Sequence, residues 1–263
     1  MSHERPVESH WPEMLRLMQS QGADAVVAYV QGFDDPTTRR QLFARAQQGF
    51  GGGPWEGRDL DAITTVVEAG IAEGIAQAAA ATDEAQRAEL TDYANVLSYN
   101  LSAALADCWP DDDLPRESRH LAAGLRAADQ CLAWRTELGK GPGPFSMAWW
   151  ARGIHLLSQG LREDAEKAFE ESLRFAREAA TARGASTASD STGDWAVLLG
   201  DGYLALARRT RQAAGARDAW SSCLLALEAG AAAREGDAED LRFCTAQLVA
   251  AERKLRSRGI LND

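Results

Sequence analysis

The sequence predicts an all-α protein, and three observations carry that prediction. Alanine is abundant while β-branched residues are sparse, which favours helix over strand. Apolar residues recur at helical spacing through most of the chain. The stripes are separated by short Gly, Pro or Asp breaks, the punctuation of antiparallel neighbouring helices. With 263 residues and 45% hydrophobic content the chain buries a large core and is not disordered.

Trp11, Met14, Leu15 and Met18 define a first short helix from Trp11 to Gln21, with Gly22 as its stop. A second helix is expected from Ala23 to Phe33. Asp35-Pro36 supplies an N-cap followed by Pro at the first helical position, starting a third helix that runs to about Gln48. The segment 1–50 is therefore read as an N-terminal helical extension. Gly49 to Arg58 is the most glycine-rich stretch and reads as a flexible boundary. It lacks the Gly-Lys-Ser/Thr of a phosphate loop.

From Asp59 two long helices are expected to about Asp107, breaking near Thr82-Asp83. The first carries Gly70 and Gly74 among its apolar residues, small positions that suit close helix packing. Cys108-Trp109-Pro110-Asp111-Asp112-Asp113-Leu114-Pro115 is a hard stop. Its three adjacent acids lack the ligand alternation of a calcium loop and are read as a solvated entry to the next helix, Arg116 to Leu138. Glu117 and His120 share the i, i+3 spacing of a di-iron bundle pair, but no second pair exists.

The most informative stretch is Met147 to Leu173. Two short amphipathic helices meet at Gly160, and Trp149, Gly153, Gly160, Ala165 and Phe169 fall at telling intervals. This resembles a tetratricopeptide repeat, in which a large residue opens the first helix, a glycine lets the second approach, and an alanine and an aromatic face back. Arg152 and Leu156 stand where the family has Leu and Tyr. A weaker copy follows the polar loop at 185–192: Leu199-Gly200 and Tyr203, partnered by Ala219, Cys223 and Ala226. A third lies upstream, with Leu97-Ser98 and Leu101 facing Ala123 or Gly124. Leu241, Cys244, Leu248, Ala251 and Leu255 form a final helix read as a cap, with basic residues from Arg253 to Arg258 complementing its dipole. The resemblance covers about residues 90–230 as an irregular array and implies an α-α superhelix of antiparallel helix pairs, with the array and its capping helix expected over 59–263.

Function is bounded mostly by exclusion. A formal net charge of -11 argues against nucleic acid and favours a protein or peptide partner, with a basic one or plain solubility fitting better. No secretory leader and no apolar run long enough to span a bilayer are visible, which points to the cytoplasm and away from membranes. The four cysteines lack paired spacing and read as reduced core residues. No catalytic or metal motif is found, so neither an enzyme nor a cofactor is expected. The leading reading is a protein-protein interaction module or adaptor. A small-molecule sensor or enzyme, using a pocket between the N-terminal helices and the array, is the alternative; a homo-oligomeric structural protein is the third class, and a homodimer is compatible with the sequence.

By the resemblance, the first helix of each unit lines a groove, and the registration assigns Trp150 and Ile154, Asn95 and Tyr99, and Val197 and Asp201 to it, with Asp194 at the rim. The alternative for Trp150 is core packing against the 116–138 helix.

Overall fold

The computed structural model describes residues 7–52, 55 and 57–262. Among them no strand occurs, and eleven α-helices account for most of the chain. They are α1 (Trp11–Gln21), α2 (Ala23–Gln31), α3 (Pro36–Gly52), α4 (Leu60–Ala80), α5 (Glu84–Leu105), α6 (Ser118–Glu137), α7 (Pro142–Ser158), α8 (Arg162–Ala182), α9 (Trp195–Thr210), α10 (Ala216–Ala233) and α11 (Ala238–Ser257). Contacts divide the chain into two units, Met1–Leu105 with Arg126–Gly139, and Ala106–Leu125 with Lys140–Asp263. The chain passes between them three times, after Leu105, after Leu125 within α6, and after Gly139.

In the first unit the predicted stops and caps operate. Gly22, at φ 85°, ends α1 and donates its N–H to the Leu17 and Met18 carbonyls. Asp35 accepts from the backbone N–H of Thr38 at 2.8 Å, capping α3. Asp59 accepts from Asp61 N–H at 3.0 Å at the start of α4. A Cβ on Gly74 would lie 2.6 Å from the Tyr93 ring, which is why α4 and α5 approach so closely there.

One boundary differs from expectation. The third helix does not stop near Gln48 but continues to Gly52, so the glycine-rich stretch is helical at its start. The reason is tertiary. A Cβ on Gly49 would sit 2.1 Å from the Trp11 ring, so only glycine lets that indole close on the helix. Phe50 is fully buried, with its ring 4.9 Å from Trp11 and 5.4 Å from Trp55. Burying one large aromatic outweighs a helix penalty of about 1 kcal/mol for a glycine. Of the expected flexible stretch, Gly53, Pro54 and Glu56 lie outside the described residues.

In the second unit each helix packs on the next: α7 on α8, α8 on α9, α9 on α10, α10 on α11, and α9 also on α11. Such consecutive packed pairs are compatible with a helical repeat. The central pair is built as its spacing requires. Gly160, at φ 78°, makes the turn, and Leu161 N–H reaches back to the Leu156 carbonyl at 2.9 Å. A Cβ on Gly153 would fall 2.6 Å from the Phe169 ring, so α7 and α8 meet in contact through a position only glycine tolerates. Ala165 and Phe169 have no exposed surface.

The downstream pair has a different register from the one its sequence suggests. Gly200 faces Leu173 of α8, whereas Gly202 meets Cys223 of α10 and Leu248 of α11. Ala219 is exposed and Trp220 is buried. The upstream pairing is also redirected: a Cβ on Gly124 would overlap the ring of His155 in α7, while α5 meets α6 through Asn95.

Candidate functional site

The segment between α5 and α6, residues 106–117, is neither helical nor a solvated loop. It runs across the alternate helices α7, α9 and α11 of the second unit. Asp107 pairs with Arg258 at 2.6 Å and with Lys254 at 3.3 Å. Cys108 is fully buried, lies against the Tyr203 hydroxyl of α9, and accepts a 3.6 Å hydrogen bond from Gln247 Nε2 of α11. Trp109, half-buried, meets Trp150 of α7 edge-on at 5.9 Å and Phe243 of α11 at 6.2 Å. Trp150 in turn packs edge-on against Tyr203 at 6.0 Å, and Tyr203 stacks on Phe169 at 5.2 Å.

Main-chain atoms are held as well. Lys254 Nζ donates to the Asp112 carbonyl, and Arg258 Nη2 to the Arg116 carbonyl at 2.8 Å. The reading of Asp111, Asp112 and Asp113 as a solvated run therefore needs correction at its middle member. Asp112 is buried, accepts from Arg116 Nη2 at 2.6 Å, and caps Leu114 N–H at 3.0 Å. Burial next to a guanidinium is what a lone carboxylate in such a place requires. Asp111 and Asp113 remain exposed, and Asp113 pairs with Arg253 at 3.5 Å. The basic end of α11 thus complements this segment as well as its own dipole.

Of the seven residues registered to the expected groove, two lie in the first unit and five in the second. Asn95 and Tyr99 belong to the first unit. Asn95 is buried, donating to Asp92 at 3.0 Å and accepting from Cys131 Sγ at 3.1 Å and Arg135 Nε at 3.3 Å. The Arg135 guanidinium covers the Tyr99 ring at 5.0 Å. In the second unit Ile154 and Val197 have no exposed surface and Trp150 keeps 8%, so all three are interior rather than groove-lining. Trp150 is a core residue, with Trp109 and Tyr203 as its ring partners. Asp194 caps α9 through Ala196 N–H at 3.0 Å and pairs with Arg183. Asp201 faces α8, paired with Arg177 at 3.1 Å. A single helix's registration cannot reveal which of its faces a neighbour covers.

Asp201 has one carboxylate oxygen buried without a hydrogen-bond partner. Burial raises its carboxyl above the usual range, and Ser189 and Arg177 offset this only in part. A folded-state value above the unfolded one means that the charged form costs stability, a cost absent at low pH and present once pH rises through the folded value. Asp201→Asn is therefore expected to raise the midpoint of thermal unfolding at neutral pH, with the gain fading as the buffer is taken into the acid carboxylate range. A variant less stable than wild type at neutral pH would show that the Arg177 pair dominates.

The chemistry of the remaining groups is that of a packed interior. All four cysteines are free and buried, and burial pushes the Cys108, Cys223 and Cys244 thiols to about 12 and Cys131 to about 11. Such thiols are protonated at neutral pH and poor nucleophiles. His10 Nδ1 lies 2.6 Å from the Tyr29 hydroxyl, and His120 Nδ1 accepts from Glu117 N–H at 3.1 Å. Among the described residues no group of three or more His, Cys, Asp or Glu side chains is placed to hold a metal ion. No described helix is long and apolar enough to cross a membrane.

The sequence did contain a signal for the seated segment, in the acids around Trp109 and the run of cations at the end of the last helix. Comparison with family models, curated proteins and solved structures gives no match to this chain.

Proposed function

We propose that this chain is a protein-protein interaction module, an adaptor whose tetratricopeptide-repeat-like array holds an extended peptide against alternate helices. One observation carries the reading. A non-helical stretch of the protein's own chain lies across α7, α9 and α11, gripped by a ring cluster, by ion pairs and through main-chain carbonyls. Contacts to carbonyls do not depend on sequence, whereas an aromatic pocket and a row of cations select among sequences. That combination is what a peptide-binding face requires.

The face has an open border where Phe243 is 49% exposed beside Trp109. A photo-reactive amino acid replacing Phe243 is expected to capture a discrete partner in native extract. The same group at Leu225, exposed on α10, serves as the comparison. Identical adducts from both positions would overturn the reading. Adducts only between copies of this chain, with a doubled mass in light scattering, would replace it with a homo-oligomeric structural role.

A further inference from the structure

We propose that Trp109–Asp113 is a resident ligand, occupying in cis a place that an acidic, tryptophan-bearing peptide of a partner takes in its stead. The proposal rests on the interaction reading above and adds the chemistry of the partner.

The depth of the segment changes along its length. Asp107, Cys108 and Asp112 are buried, whereas Trp109 and Pro110 are half-buried and Asp111 and Asp113 are exposed. The part held from α7 and α11 is thus a rim-seated stretch with one aromatic anchor and one buried acid, Asp112, held by Arg116. Its indole contacts the Trp150 and Phe243 rings, an edge-on and a tilted packing that another tryptophan reproduces. Its Asp113 meets Arg253 at the end of α11, and Lys254 binds the Asp112 carbonyl, a main-chain group that any peptide supplies.

Charge fixes the class of partner. The chain carries a formal net charge of -11, which taken alone favours a basic ligand. On this face Arg253 pairs with Asp113, while Lys254 and Arg258 pair with Asp107 just before the stretch, so the segment they hold is acidic. Recognition follows the local complement rather than the net charge. A peptide with tryptophan followed by carboxylates fits. A basic peptide would bring no acid to Arg253, the cation that the resident stretch pairs through Asp113.

Pro110 and Pro115 stiffen the resident segment, and its tether keeps it at a local concentration on the order of millimolar. A free peptide must displace it, so wild-type protein binds weakly and a protein with a weakened resident binds well. The experiment uses the full-length chain, a labelled synthetic peptide copying residues 106–117, and a control peptide with alanine in place of its tryptophan. In the Trp109→Ala variant the tryptophan peptide is expected to bind about ten-fold or more tightly than to wild type, since the tethered competitor has lost its anchor. It should also raise the variant's unfolding midpoint, while the control peptide does neither. Salt at about 0.5 M should weaken binding, because the pairs at the rim are solvent-exposed.

Equal binding of the two peptides, or binding of neither, overturns the proposal. Should Trp109→Ala fail to fold, a double variant, Asp111→Asn with Asp113→Asn, loosens only exposed contacts, and a tighter peptide complex than wild type is then expected. The same affinity as wild type would count against displacement. If cross-links from position 243 persist while no peptide binds, the interaction reading survives and the resident-ligand inference alone fails.

Discussion

Trp150→Ala is expected to lower the stability of the protein by about 3 to 5 kcal/mol, the cost of removing a large buried aromatic and leaving a cavity. Its indole is 8% exposed and touches rings on two sides, Trp109 and Tyr203, so the neighbours cannot collapse into the space without giving up their own contacts. Denaturant unfolding of the purified variant measures the loss. The result separates two roles that the sequence leaves open. An anchor for a partner would fold almost as wild type and lose only binding; a loss under about 1 kcal/mol would therefore restore Trp150 to the groove. A conservative companion, Trp150→Phe, keeps the edge-on contacts and should recover most of the loss.

That ambiguity illustrates what was legible in the sequence. Helix limits written in backbone chemistry were readable, because Gly22, Asp35-Pro36, Asp59 and Gly160 act within one turn of themselves. The central pair was readable for the same reason, since Gly153 and Phe169 belong to neighbouring helices joined by a tight turn. Gly49 was not readable as helical, because what holds it there is Trp11, in another helix. The downstream pair offered two glycines two residues apart, and Gly202 faces α10 because Leu248 of α11 and Cys223 also converge there. Local spacing cannot weigh a partner that comes forty residues later. The seated segment is the extreme case. Asp107 and Arg258 are 151 residues apart, and nothing near either of them names the other. Only the charge patterns of the two stretches, acidic around Trp109 and basic at the end of α11, hinted at the pairing.

Breaking the deepest ion pair of that segment is the second large effect to expect. Asp112→Ala should cost about 3 kcal/mol or more, because it takes the carboxylate from a guanidinium that has no exposed side-chain surface. Arg116 Nη1 still donates to the Leu114 carbonyl at 2.7 Å, which offsets part of the loss, so the figure belongs at the lower end for a buried pair. The Leu114 N–H also loses its cap. The burial itself is the costly feature, not the absence of attraction, and this gives a sharper test than the single variant. Replacing both partners with apolar residues of similar size, Asp112→Leu with Arg116→Met, removes the stranded charge and should recover at least half of the stability lost in Asp112→Ala. If the double variant is instead as unstable as the single one, the pair is holding the course of the 106–117 segment rather than neutralising a buried charge. Hydrogen exchange at Cys108 and Trp109 distinguishes the two, since a segment that has come off its seat exposes those amides and a segment that has merely lost a charge pair does not.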